Sequence, residues 1–422
     1  MKIDHPIPIG RSQSQPVGGH PVSPDFLHYR GTAVQALDEL SQAQTLGQLL
    51  DRAHMMWCGP ACEQTMACTF LHYPRVAPPP GTPRAQRSRY NKETADLFPL
   101  MGGDEYDPSS VKVHEVDFWP LLRAVAGQVG AGKGLPVDYS DWSKKGDATA
   151  AASVRYACRD AIQYMANWSG ERYADSPVAV HYTAFAVIVD ELCIPPLDLV
   201  QGRFRMYGRS AADLAQVMDE QGWGSDGPQV MLALIRQFML QYAEKVEHAS
   251  DPGRTRLKAH LNKTPNMWDA LIYRTHTANC YGVAIAVGRV LGSGPSSFTW
   301  LWDSSICNAT SMDLCKHPIE IYGYDYQNAT ASPRFFHQRR TAYRSIYLDL
   351  IDDLVASGAP EALVHYGRSG FLFVQTQERY HERRASRRMP LTPAITTHLH
   401  DLFGDTPADS SLERRFHPYK AG

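Results

Sequence analysis

The stretch VAVHYTAFAVIVDELCIPP, Val178 to Pro196, decides the fold class. Its residues are apolar on nearly every side, with no alternation of period two, and the run is too long for a buried strand. A helix that is apolar all round belongs in the middle of a large bundle. The run also falls short of the ~18 continuous apolar residues that a membrane span needs. It ends on two adjacent carboxylates, Asp190 and Glu191, just before Pro195 and Pro196, where a helix stops. Desolvated carboxylates side by side repel each other unless a cation or a basic group lies between them. The bland reading is a solvated helix end that is acidic.

Outward from that stretch the same texture repeats. Toward the C-terminus stand PQVMLALIRQFMLQYAEKVE (228–247), MWDALIYRTHTANCYGVAIAVGRVL (267–291), RFFHQRRTAYRSIYLDLIDDLVASG (334–358) and APEALVHYGRSGFLFVQTQERYHERR (359–384). Toward the N-terminus stand VDFWPLLRAVAGQV (116–129) and ASVRYACRDAIQYMANW (152–168). Before them Leu37, Leu40, Leu46, Leu50, Met55 and Met56 keep helical spacing. The breaks are short and rich in Gly, Pro, Ser or Asp. Strand–turn–strand signals and fixed-period repeats are absent. This is an all-α chain, a bundle of roughly ten helices. The expected division is a flexible arm over 1–30, a helical N-terminal extension with a proline-rich break over 31–114, the bundle over 115–395 and a tail over 396–422.

With 422 residues, 43% hydrophobic and 20% charged, the chain can bury a sizeable core. A net charge of −2 argues against nucleic acid as a partner. The basic run RYHERRASRR (379–388) therefore reads first as a solvated helix face. No signal-peptide core opens the sequence, so a soluble, cytoplasmic protein is expected. The eight cysteines read as reduced packing residues. Cys58, Cys62 and Cys68 form the one cluster, but CGPAC is a residue too long for a redox CxxC. With no second Cys/His pair at zinc spacing nearby, no metal is expected there. GQVGAGKG (127–134) follows a phosphate loop until Gly134, where a Ser or Thr is required, and a helix rather than a strand precedes it.

Four candidates remain. The first is the Asp190–Glu191 pair. The second is Arg274, a guanidinium in an apolar helix with the small Ala278 one turn later, suited to bidentate phosphate binding, or, in the bland reading, an ion-paired structural arginine. The third is SMDLCKHPIEIYGYDYQN (311–328), acidic at Asp313, Glu320 and Asp325. The fourth is Arg379–Tyr380, a guanidinium and a phenol side by side.

An acidic pair, a lone arginine, an acidic helix and an Arg-Tyr pair, in that order, resemble the class I terpene cyclases. The family's first motif, DDxxD or a shortened variant, resembles Asp190 and Glu191, with Ile194 where a third acid would stand. Its sensor arginine and small effector residue resemble Arg274 and Ala278. Anchored on Glu320, its second motif NDxxSxxxE puts Asp313 at the Asp, but Met312 at the Asn and Lys316 at the Ser. Asp325 and Asn328 then fall on the following Gly-Asp-x-x-Asn patch, with Tyr324 at the Gly. The closing pair resembles Arg379–Tyr380. The resemblance covers roughly residues 115 to 390, and the degenerate motifs with a long N-terminal segment look most like the non-standard fungal humulene synthase type.

The resemblance implies an all-α bundle around an apolar central cavity and a sesquiterpene cyclase acting on farnesyl diphosphate, with humulene as product. It implies Mg²⁺, up to three ions, on Asp190, Glu191, Asp313 and Glu320. Arg274, Lys316, Arg379 and Tyr380 would face the diphosphate. Ala278, Trp268, Phe185, Tyr281, Trp302 and Asn308 would border the substrate, with Trp300 and Phe371 as further aromatic candidates. Methionine is a poor ligand for so hard a cation, and Lys316 replaces part of a metal's charge rather than binding one. A second register stays open, with Asp313, His317 and Glu320 on one helix face, though Pro318 would distort that helix. Asn308 is a third option. The rivals are a prenyltransferase, which would keep two intact aspartate-rich motifs, and a non-catalytic helical ligand-binding or scaffold protein. Oligomeric state is left open.

Overall fold

The computed structural model describes residues 27–73, 117–132, 148–250, 268–293, 296–323 and 336–370. Within them lie thirteen α-helices and no strand. They are α1 Ala33–Ser41, α2 Leu46–Cys58, α3 Trp119–Gly130, α4 Ala148–Ser169, α5 Pro177–Glu191, α6 Pro196–Val200 and α7 Ala211–Glu220. The series continues with α8 Asp226–Ser250, α9 Trp268–Thr277, α10 Cys280–Val290, α11 Phe298–Gly323, α12 Phe336–Ala356 and α13 Glu361–Arg368. No described helix is long and apolar enough to cross a membrane.

Local chemistry sets several boundaries. Capping boxes open α1 (Thr32 with Gln35) and α7 (Ser210 with Asp213), each satisfying two backbone donors that the first turn leaves unpaired. The fixed φ of Pro177 suits the first position of α5, and that helix ends where Leu192 turns extended. The backbone of α11 runs as one helix through Pro318, the residue expected to distort it. Gly127 to Gly130 of GQVGAGKG form the last turn of α3, so a helix and not a strand leads into that stretch.

The long helix α8 is the axis of the bundle. It packs against α1, α2, α3, α5, α6, α7, α9 and α10, and every residue from Asp226 to Glu244 is buried. Around it, α4 lies along α5, and α11 lies against α12 and α13. The two helices expected to be apolar all round behave so: α5 is buried from Val178 to Ala186, and α10 everywhere except Arg289.

The described part of the expected N-terminal extension, up to Tyr73, packs in this core. Leu27 to Tyr73 contribute to the same hydrophobic cluster as α5, α8, α10 and α13. Asp219 of α7 accepts from the backbone N–H groups of Ala33 and Val34, both at 2.9 Å, so a carboxylate caps the positive end of α1. Deeper in, three core side chains hold the carbonyls of the segment that follows α2. Arg236 Nη1 donates to Phe70 O at 3.0 Å, His276 Nε2 to Leu71 O at 3.1 Å, and Trp268 Nε1 to Tyr73 O at 2.6 Å. Backbone carbonyls without helix or sheet partners are costly to bury, and these side chains are what lets this segment enter the core.

Candidate active site

Three helices, α5, α8 and α9, are bonded together where α5 ends. Lys245 of α8 donates to the carbonyls of Val189, Asp190 (3.1 Å) and Leu192 (3.2 Å), placing an ammonium on the negative end of α5. One turn earlier on α8, Gln241 Nε2 donates to Asp190 Oδ1 and, at 3.0 Å, to Thr277 O. A further turn back, Gln237 Nε2 bridges Ala186 O at 2.6 Å and Thr277 O at 2.9 Å. Gln237, Gln241 and Lys245 thus form one polar stripe at four-residue spacing on the central helix. The stripe fastens the acidic end of α5 to the end of α9.

The carbonyl of Thr277 needs those glutamines because the helix breaks there. Residues 267–291 read as one segment in sequence, yet α9 stops at Thr277 and α10 starts at Cys280. Between them Asn279 sits in the left-handed region, φ 51° and ψ 32°, where asparagine is among the better tolerated non-glycine residues. Its Nδ2 donates to Tyr182 Oη at 2.8 Å, and that hydroxyl donates to Val230 O at 2.9 Å. Gly282 makes this possible, since a Cβ there would lie 1.8 Å from the Tyr182 oxygen. Ala278, expected near the substrate, is the half-buried residue of the break.

Arg274, one turn before the break, forms a buried ion pair with Asp313 of α11, Nε to Oδ1 2.9 Å, with side chains 5% and 0% exposed. Thr277 Oγ1 donates to Arg274 O at 3.2 Å. A continuous path of bonded groups therefore runs from Asp190 through Gln241, Thr277 and Arg274 to Asp313. Three of the four sequence candidates are represented in it. Beyond Asp313, α11 carries Lys316 and Glu320 about 4.5 and 10.5 Å farther along its axis. Glu191 closes α5. Arg379, Tyr380, Phe371, Tyr324, Asp325 and Asn328 lie outside the described residues.

The expected substrate-facing residues spread more widely. Phe185 is buried edge-to-face with Phe204, centroids 5.7 Å apart. Trp268 holds Tyr73, as above. Trp302 stacks on Tyr73 at 5.2 Å and lies 5.3 Å from Tyr281. Both rings, with Trp57 and Phe70, surround the guanidinium of Arg236, at 4.7 Å from Trp57 and 5.5 Å from Trp302. Burial lowers the Arg236 pKa to about 10. Trp300 is half-buried and bonds Ser357 Oγ at 3.0 Å. Asn308 is fully buried, donating to Tyr366 O at 2.7 Å, and Met312 is buried as well.

Sequence reasoning missed Gln237, Gln241, Lys245 and Arg236. The signal of the first three is nonetheless in the chain, since polar residues at four-residue spacing in an otherwise apolar helix have to be paired. Chemically, this end of the bundle joins a half-buried carboxylate, an ammonium on a helix end and an oriented guanidinium. Such groups suit a polyanion and a hard cation together.

A family model described as alpha-humulene synthase matches residues 147–412, a span that takes in Asp190, Arg274 and Asp313. The chain is 29% identical over 285 residues to the alpha-humulene synthase eupE of Phoma sp, covering 66% of this chain and 71% of that protein. It is 25% identical over 304 residues to the alpha-humulene synthase asR6 of Sarocladium schorii, covering 69% of this chain and 67% of that protein.

Proposed function

Because the chain belongs to the alpha-humulene synthase family and is a terpene cyclase, we propose that it ionises farnesyl diphosphate with Mg²⁺ and closes the chain to humulene. The observation that carries this reading is the bonded path from Asp190 to Asp313. It supports the diphosphate lying across the ends of α5, α9 and α11.

The donor chemistry fits magnesium at one side of this site. Asp190 gives one carboxylate oxygen to Gln241 and keeps the other, on a half-buried residue, for a hard cation. In this reading Asp190, Glu191 and Glu320 hold the ion. Bound there, it neutralises charge growing on the departing diphosphate. Asp313 plays a different part. It is buried and committed to Arg274, so it aims that guanidinium rather than offering itself as a ligand.

The chain's own residues supply the rest. Arg274, Lys316, Arg379 and Tyr380 donate to diphosphate oxygens, and donors fixed in advance lower the ionisation barrier without reorganising. Lys245 and Gln241 keep Asp190 in place. The break at Ala278 brings a polar helix end beside an apolar interior, where the prenyl tail lies near Phe185. Tyr281, Trp302 and Trp268 already pack on Arg236 and Tyr73, and with Asn308 they form the floor below. Excluding water protects the allylic cation from capture as an alcohol.

The test is direct. Purified chain is incubated with farnesyl diphosphate and Mg²⁺, and headspace volatiles are compared with a boiled control. Humulene is expected. Absence of any hydrocarbon from ten- to twenty-carbon prenyl diphosphates would overturn the reading, and a longer linear diphosphate would make the chain a prenyltransferase. Glu320→Ala is expected to abolish turnover, and full activity in that variant refutes the ligand assignment.

A further inference from the structure

Outside the cyclase site the structure gathers a second group of metal-competent side chains. His54, Cys58, Cys62 and Cys68 each bring a ligand atom into a cluster in which all four atoms lie within 4.8 Å of one another. From sequence the cysteines read as packing residues, because no Cys/His pair at zinc spacing stood nearby. The missing ligand was upstream: His54 and Cys58 sit one turn apart on one face of α2. Gly59, at φ 83°, then ends the helix and returns the chain past it. We propose that these four residues bind a structural zinc ion.

The geometry supports a tetrahedron. Cys58 Sγ and Cys68 Sγ are 3.5 Å apart. Zinc–sulfur bonds of about 2.3 Å imply a ligand–ligand edge of ~3.8 Å, whereas a disulfide would need ~2.05 Å. All three cysteines are free. His54 is buried, its Nδ1 lies 3.4 Å from the Gln64 amide nitrogen, and its Nε2 has no hydrogen-bond partner. The Phe70 N–H donates to Cys68 Sγ at 3.4 Å, a bond that favours sulfur carrying negative charge. Three sulfurs and a nitrogen select zinc over the hard, oxygen-seeking magnesium.

The surroundings supply a reason for the ion. Zinc with three thiolates and a neutral imidazole carries a net charge of −1. Arg236 is a fully buried cation, and no carboxylate is paired with it among the described residues. It lies over Trp57, the residue before Cys58, with its guanidinium 4.7 Å from the ring centroid. The zinc cluster would be its counter-charge. The stretch from Gly59 to Tyr73 has no helix of its own, yet it delivers three carbonyls to the core. A four-point clip inside this stretch would fix its path. The cluster precedes the span matched by the family model, so the inference stands apart from the cyclase reading.

The full chain, expressed with zinc in the medium and purified without chelator under reducing conditions, is submitted to elemental analysis. About one zinc per chain is expected, released by a thiol-modifying mercurial. The double variant Cys58→Ser/Cys62→Ser should lose it, while Cys158→Ala, altered in α4, should keep it. Should the double variant fail to fold, wild-type chain reconstituted with Co²⁺ keeps the proposal testable. It should show the ligand-field and thiolate charge-transfer bands of a tetrahedral site. Substoichiometric zinc together with no cobalt spectrum overturns the proposal. So does a Cys58–Cys68 disulfide found by alkylation mapping, zinc retained by a folded double variant, or iron as the stoichiometric metal.

Discussion

Two arginines lie at nearly the same depth in this bundle, Arg274 at 4% exposure and Arg236 at 1%, and they are held in opposite ways. Arg274 is directed by a carboxylate, Asp313, in an ion pair that joins α9 to α11. Arg236 is directed by four aromatic rings and one backbone carbonyl, and it joins α8 to the N-terminal segment. The difference teaches what burial leaves undecided. A desolvated guanidinium is costly anywhere, and its partner determines whether it is aimed at a site or used to tie the fold together.

The comparison can be broken by removing partners. Asp313→Ala should have the largest effect, because it removes the carboxylate from a buried ion pair, a loss of about 3–5 kcal/mol, read from urea unfolding. Arg236→Met removes the charge while keeping much of the volume. It leaves Phe70 O unsatisfied and should cost about 1–3 kcal/mol by the same measurement. If Arg236→Met proves the more damaging, the two roles are reversed.

A smaller effect is readable in pH. Burial, reinforced by the nearby charge of Arg236, holds His276 well below its ordinary value of 6.5. The unfolded chain then takes up a proton that the folded chain refuses. Stability is therefore full above about pH 6.5 and falls as pH drops below it, by up to ~1.4 kcal/mol per pH unit. In Arg236→Met one cause of the shift is gone, so the acid loss should be shallower. An unchanged slope in denaturation midpoints against pH would show that Arg236 does not act on His276.

The all-α fold was legible because α5 and α10 are apolar on every side, a pattern that admits no other place than a bundle centre. Asp190, Arg274 and Asp313 stood out as candidates by their order along the chain. Their partners were not. The Arg274–Asp313 pair spans 39 residues and the Asp190–Gln241 bond 51, and no periodicity encodes which distant side chains will meet. The break at Asn279 was hidden for a related reason. Asparagine adopts the left-handed turn there because Tyr182, on another helix, receives its amide. His54 escaped notice because its ligand role depends on α2 continuing as far as Cys58.

The carbonyls of Phe70, Leu71 and Tyr73 wait for donors that lie 166, 205 and 195 residues farther along the chain. During synthesis this segment emerges early and has nothing to bond until α8 and α9 exist. A helical bundle gains speed from local contacts, and here its last core contacts are among its longest in sequence. A fragment beginning at residue 147 would keep the text that marks the family. It would also remove the acceptors of Arg236, His276 and Trp268 and uncover the face of α8 that α1, α2 and α3 bury. Residues 27–73 are thus part of the core itself, and the bundle that carries the family's sequence is built around them.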